Sequence, residues 1–147
     1  MPATAFGGTR VSLARVIVPL LFSYGTLQLL DVQLRTYRRK LDGQVDELQG
    51  FSPSLVKVHD PALAAKLGKT HHANVTYNGN DASRVAGSVF EITDAELSST
   101  DAYEAPFFYK RVTATLASGR QAWVYVHADS VRRAVGDEPT LRKRNKP

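Results

Sequence analysis

Apolar residues in this chain fall into short runs and alternating stretches, punctuated by glycine, proline and asparagine, with helical spacing in only a few places. Leu20-Leu21-Phe22-Ser23-Tyr24 is short, apolar and stopped by Gly25, which predicts a buried strand. Asp31 is placed to cap a following helix whose apolar side carries Leu34, Tyr37 and Leu41, and Gly43 is placed to end it. Arg35, Arg38, Arg39 and Lys40 fall mostly on the opposite, wet face. Leu55–His59 alternates as a strand does, and Asp60-Pro61 then opens a short helix that Gly68 closes. Ala73–Tyr77, ended by the turn Asn78-Gly79-Asn80, and Val85–Ile92 are further strands. Thr93-Asp94-Ala95-Glu96 has the capping-box pattern, so a helix is expected from about Asp94 to Glu104, and Pro106 forbids its extension. Tyr109–Leu116, the turn Ala117–Arg120 and Gln121–His127 form a hairpin with Trp123, Tyr125 and His127 on one face. Five or six strands with two or three short helices between them, and no regular βαβ alternation, predict an α+β fold on an antiparallel or barrel-like sheet.

The 147 residues suit one domain, and 43 % apolar with 22 % charged residues places the chain among ordinary globular proteins. There is no cysteine, which removes disulfides, thiolate nucleophiles and cysteine-held zinc, and suits a reducing, cytoplasmic home. The net charge of +5 suggests nucleic acid until it is localised. The tail from Asp129 to Pro147 carries +3 of it, in Arg132, Arg133, Arg142, Lys143, Arg144 and Lys146 against Asp129, Asp137 and Glu138, so the remainder is nearly neutral. Residues 1–17 read as a loose leader, 18–128 as the globular domain and 129–147 as a basic, flexible tail. Neither nucleic acid nor membrane is the expected partner. The apolar run Val16–Phe22 after Arg10 and Arg15 is too short for a secretion signal, is broken by Pro19, and lacks a cleavage site.

Most chemistry-bearing patterns are missing. The sequence has no phosphate loop and no nucleophile elbow, and His59, His71, His72 and His127 lack the spacing of a metal site. Two segments remain. Ser23-Tyr24-Gly25-Thr26-Leu27 follows the first strand, where glycine can let the backbone turn and expose consecutive N–H groups to an anion. Asp101-Ala102-Tyr103-Glu104 ends a helix beside Ala105-Pro106-Phe107-Phe108, and Tyr109-Lys110-Arg111 follows. A carboxylate there meets the negative end of the helix dipole among apolar neighbours, which would make Glu104 a stronger base. The alternative is a surface glutamate paired with Arg111; Phe107 and Phe108 are read as core by default, with a pocket lid or a dimer contact as the alternatives.

Leu21-Phe22-Ser23-Tyr24-Gly25-Thr26-Leu27, then Val85-Ala86-Gly87-Ser88-Val89-Phe90-Glu91-Ile92 with Leu97, then Asp101-x-Tyr103-Glu104, Tyr109-x-Arg111 and Ala122–Val126 occur in the order of a known family. Over about Leu20 to Ala128 the chain resembles the γ-glutamylcyclotransferase-like superfamily, in its AIG2-like branch. The resemblance implies a compact, mixed, mainly antiparallel barrel-like sheet with short helices, and a pocket where the Tyr24–Leu27 loop faces Glu104. It implies a γ-glutamyl amine or peptide as substrate, whose own α-amine attacks the γ-carbonyl to give 5-oxoproline and a free amine. No cofactor is implied, because nucleophile and electrophile share one molecule. Glu104 would be the general acid and base. Backbone N–H groups of Gly25, Thr26 and Leu27 would hold the substrate carboxylate or oxyanion, and Tyr24, Tyr109 and Tyr125 would line the pocket, the latter two donating hydroxyl hydrogen bonds. Arg111 is expected to pair with Asp101 or Glu91. The other reading is a non-catalytic small-molecule binding module of the same fold; either would act as a monomer or homodimer.

Overall fold

The structure, a computed structural model, describes residues 18–134; the expected leader, 1–17, and the expected tail past residue 134 lie outside the described residues. In chain order the elements are β1 (Leu20–Ser23), a 3-10 turn (Thr26–Gln28), α1 (Leu30–Tyr37), β2 (Gly43–Gln49), β3 (Phe51–Lys57), α2 (Pro61–Leu67) and β4 (His71–Tyr77). Then come β5 (Arg84–Glu91), α3 (Asp94–Glu104), a second 3-10 turn (Ala105–Phe107), β6 (Tyr109–Thr115), β7 (Gln121–His127) and α4 (Ala128–Ala134). Five strands form one sheet in the order β2-β5-β1-β7-β6, and β3 and β4 make a separate hairpin. All pairs are antiparallel except β1 with β7, joined in parallel through Leu21 and Trp123. Among the described residues no helix is long and apolar enough to cross a membrane.

The run of apolar residues in β1 is explained by burial on both faces of the sheet. Leu21 packs with α1, α3, Tyr109 and Tyr125, whereas its neighbour Phe22 packs on the other face with Phe51 and Val75 of the hairpin. Strand β7 divides in the same way, Val124 and Val126 to one side and Tyr125 to the other. The edge strands β2 and β6 meet at one isolated bridge, Leu48 with Leu116, beside the hydrogen bond from Ala117 N–H to the Glu47 carbonyl (2.8 Å). Asp46 clamps that seam by accepting from the Ser118 hydroxyl at 2.6 Å. The sheet thus curls into a barrel-like form that stays open except at this seam.

The helix over 94–104 begins with the capping box expected of Thr93 and Glu96, and the Asp60–Gly68 helix has the predicted cap and stop. The first helix differs. Asp31 does not cap it: Leu29 occupies that position without a side-chain bond, and Asp31 sits in the first turn, 3.7 Å from Arg35. It ends at Tyr37, where Arg38 is left-handed (φ 62°), so Gly43 does not end it but opens β2. Leu41 is nonetheless buried, because its N–H donates to the buried Gln33 side chain at 2.9 Å, while Leu34 is 47 % exposed. Strand β2 itself was hidden, its sequence Gly-Gln-Val-Asp-Glu-Leu-Gln being mostly polar at a sheet edge. Strand β3 starts at Phe51 and ends before His59, with Pro53 tolerated on an edge of the two-stranded hairpin. The first residues assigned to the tail, Asp129 onward, are helical in α4 as far as Ala134.

Candidate active site

Where β1 ends at Ser23, the chain leaves the sheet and closes a 3-10 turn, Gln28 N–H donating to the Gly25 carbonyl at 3.1 Å. Gly25 itself has φ −137°, so it is not there for left-handed backbone; a Cβ on it would meet nothing within 4 Å and would stand in open space. Its N–H is already engaged by the Ser23 hydroxyl at 3.2 Å. The Thr26 and Leu27 N–H groups have no acceptor among the described residues, leaving two of the three expected donors available. Buried Gln33 fixes the loop from behind, donating to the Leu27 carbonyl at 2.9 Å.

Helix α3 supplies the opposite wall. It is tied to α1 by Tyr37 with Thr100 (2.6 Å) and by the paired bonds from Arg39 to Glu96, and to the loop by Thr26 with Tyr103 (2.8 Å). Between these walls lies a cavity of about 180 Å³, lined by Tyr24, Gly25, Thr26, Leu27, Glu104, Tyr109 and Tyr125 among others. Every residue named from the sequence as a site candidate therefore meets at one cavity. Glu104 is the last residue of α3, and its carboxyl has no hydrogen-bond partner among the described residues. Loss of solvent pushes its pKa from 4.5 up to about 7. Arg111 does not neutralise it: that guanidinium pairs with Asp101 at 3.0 Å and stacks over Trp123 at 4.4 Å.

The tyrosines are arranged differently from the expectation. Tyr24 donates its hydroxyl to the Tyr125 carbonyl (2.6 Å), Tyr109 to the Ala73 carbonyl (2.6 Å) and Tyr125 to Asp101 (2.7 Å). Burial raises the pKa of all three above the ordinary phenol range, with the Glu104 charge adding to it, so they are neutral. Their O–H groups donate to protein acceptors, and all three residues line the cavity. Phe107 also lines the cavity instead of lying deep in the core, and Phe108, held at φ 64°, is 69 % exposed.

The remaining lining was not foreseen. Leu67, Lys69, His72 and Ala73 come from α2 and the start of β4, whose hairpin packs against the sheet. The His72 ring stands edge-on to Phe107, with ring centres 5.0 Å apart, and its Nε2 is buried without a partner. Burial first, then the Lys69 and His127 charges, lower its pKa, so the imidazole is neutral at pH 7. Alternation along β4 puts His72 on the face of Asn74, which accepts from the His127 N–H at 3.1 Å; nothing local in the sequence says that this face borders a cavity. Among the described residues no three His, Asp or Glu side chains gather as metal ligands would.

Comparison with known proteins adds the following. A family model described as gamma-glutamyl cyclotransferase, AIG2-like, matches residues 21–143. Two solution structures of Arabidopsis thaliana proteins share the fold at 21 % and 20 % identity, with TM-scores of 0.61 and 0.59. They align over 78 % and 79 % of this chain, which spans 65 % of the first protein and 72 % of the second. A solved protein named gamma-glutamyl cyclotransferase is 18 % identical with a TM-score of 0.54, over 76 % of this chain and 67 % of its own. A search of curated proteins finds no match.

Proposed function

This chain belongs to the AIG2-like gamma-glutamyl cyclotransferase family, and on that premise we propose that it is an enzyme releasing 5-oxoproline and a free amine from a small γ-glutamyl compound. The observation that carries the reading is Glu104: a desolvated carboxyl with a pKa of about 7 and no hydrogen-bond partner among the described residues, on the wall of a cavity also lined by Thr26 and Leu27, whose N–H groups have no acceptor among those residues. A group poised at the working pH is half ionised, and can take a proton and return it.

The substrate arrives with a protonated α-amine. Glu104 takes a proton from that nitrogen, whose lone pair then attacks the γ-carbonyl carbon and closes a five-membered ring. The carbonyl oxygen becomes an oxyanion, for which the Thr26 and Leu27 N–H groups are the available donors. As the C–N bond to the outgoing amine breaks, protonated Glu104 gives that nitrogen the proton. The oxyanion collapses as that bond breaks; Glu104 then takes the second proton from the ring nitrogen and passes it to the released amine, so two protons have moved and Glu104 ends as it began. The aromatic rings of Tyr24, Tyr109, Tyr125 and Phe107 limit water, which favours ring closure over hydrolysis.

The test is 5-oxoproline release, followed by mass spectrometry, from a panel of γ-glutamyl amino acids, alkylamides and peptides. The parent protein is expected to release it, and Glu104→Gln to lose at least about a hundredfold in rate while keeping its fold, the usual effect of removing a general base. Turnover by the Gln variant at the parent rate would end the acid-base role for Glu104. No release from any member of the panel would end the enzymatic reading.

A further inference from the structure

The proposed chemistry accounts for Glu104, the loop and the tyrosines but leaves one charged side chain of the cavity without a task. Lys69 lines the cavity, and stays exposed, which places it at the mouth. Among the described residues no carboxylate lies within ion-pair distance of it. The last residues of α3 and the turn after it touch two parts of the cavity lining. At one end Tyr103 bonds to Thr26; at the other Phe107 packs on His72, in the segment that carries Lys69; Glu104 lies between them in sequence. A γ-glutamyl group with its γ-carbonyl beside the Thr26 and Leu27 N–H groups could extend its amide substituent toward Lys69, which lines the same cavity. Neutral His72 and Phe107 give that end an apolar flank with a single positive charge at its rim.

We propose that Lys69 forms a subsite for a carboxylate on the departing amine, so that γ-glutamyl amino acids and peptides are preferred over γ-glutamyl derivatives of uncharged alkylamines. This rests on the reaction proposed above. A lysine ammonium is a compact point charge on a flexible stem, suited to carboxylates at slightly different distances. γ-Glutamylalanine and γ-glutamylethylamide differ only in that carboxylate, and they make the test. For the parent, kcat/KM is expected to favour γ-glutamylalanine by about tenfold, the effect of one partly solvated charge contact. Lys69→Met, which keeps the stem and removes the charge, should lower kcat/KM for γ-glutamylalanine about tenfold further than for the ethylamide, mainly through KM. Lys69→Arg should restore the preference. Equal use of both compounds by the parent, or an equal loss on both in Lys69→Met, overturns the subsite and leaves the reaction standing. If neither compound yields 5-oxoproline, the reaction has failed, and titration calorimetry reads the subsite alone. Tighter binding of γ-glutamylalanine than of the ethylamide, abolished in Lys69→Met, supports it, and equal binding overturns it.

Discussion

Replacing Glu104 by glutamine should make the protein more stable above neutral pH, and the size of the gain follows from the site. In the folded protein the carboxyl titrates near 7, against 4.5 as an unperturbed side chain. Between these values the folded state holds a proton that the unfolded state has released, so parent stability falls as pH rises through this window. Below about pH 4.5 the group is protonated in both states and contributes nothing; above about 7 the whole penalty is present. At 1.36 kcal/mol per unit the penalty reaches about 3 kcal/mol, an upper figure because the carboxylate keeps some contact with water. Glutamine carries no charge and escapes it. Urea unfolding at pH 5, 6, 7 and 8 measures both proteins. Their difference isolates Glu104, since other groups titrate too: His72, whose pKa is depressed below 6.5, adds stability that is lost as pH falls below that value. The gap should be small at pH 5 and widen to a plateau near pH 8. Parallel curves across the window would refute the claim that burial strains this carboxylate.

Three further outcomes are expected. Parent kcat/KM for 5-oxoproline release should rise with pH and level off above an inflection near 7, since the base must be ionised; a profile flat from pH 5 to 9 would exclude Glu104 as that base. Tyr24→Phe removes the donor to the Tyr125 carbonyl and should cost about 1–3 kcal/mol in urea unfolding, the usual effect of orphaning a buried acceptor. Gly87→Ala should cost at least about 1–3 kcal/mol, because a Cβ there runs into the Ser23 carbonyl oxygen and the Phe22 ring; a thermal scan showing no loss would mean that β1 and β5 are not so closely apposed.

Much of the sequence's local chemistry could be read, although the cap expected of Asp31 and the stop expected of Gly43 did not hold. The capping box of Thr93 and Glu96 set the start of α3, Pro106 its end, and together they delivered Glu104 to the last helical position. The apolar strand before Tyr24 and the hairpin of β6 and β7 were legible for the same reason. What failed were features decided by contacts distant in sequence. Polar β2 is a strand because β5 pairs along its whole length, and α1 stops early because Gln33 and Leu41 bond to each other across its end. Gly25 lines the cavity, but its φ of −137° is not left-handed, a Cβ there would meet nothing within 4 Å, and its N–H is taken by the Ser23 hydroxyl. Lys69 and His72 reach the site through the docking of the β3–β4 hairpin, for which no residue pattern along the chain gives notice.

The position of β1 bears on how such a site can be assembled. This strand is the first among the described residues, yet its neighbours are β5 and β7, and Tyr24 at its exit is bonded to a residue 101 positions later. Contacts of that separation are paid for late, after the loops between them have closed. During synthesis β1 therefore gains β5 as its first sheet neighbour, and the bond from Tyr24 to Tyr125 waits until β7 has emerged, while β3–β4 and β6–β7 can pair as soon as they appear. The part of the cavity wall that carries Tyr125 is thus the last to be made, and a chain stalled short of Gln121–His127 would lack the carbonyl to which Tyr24 bonds.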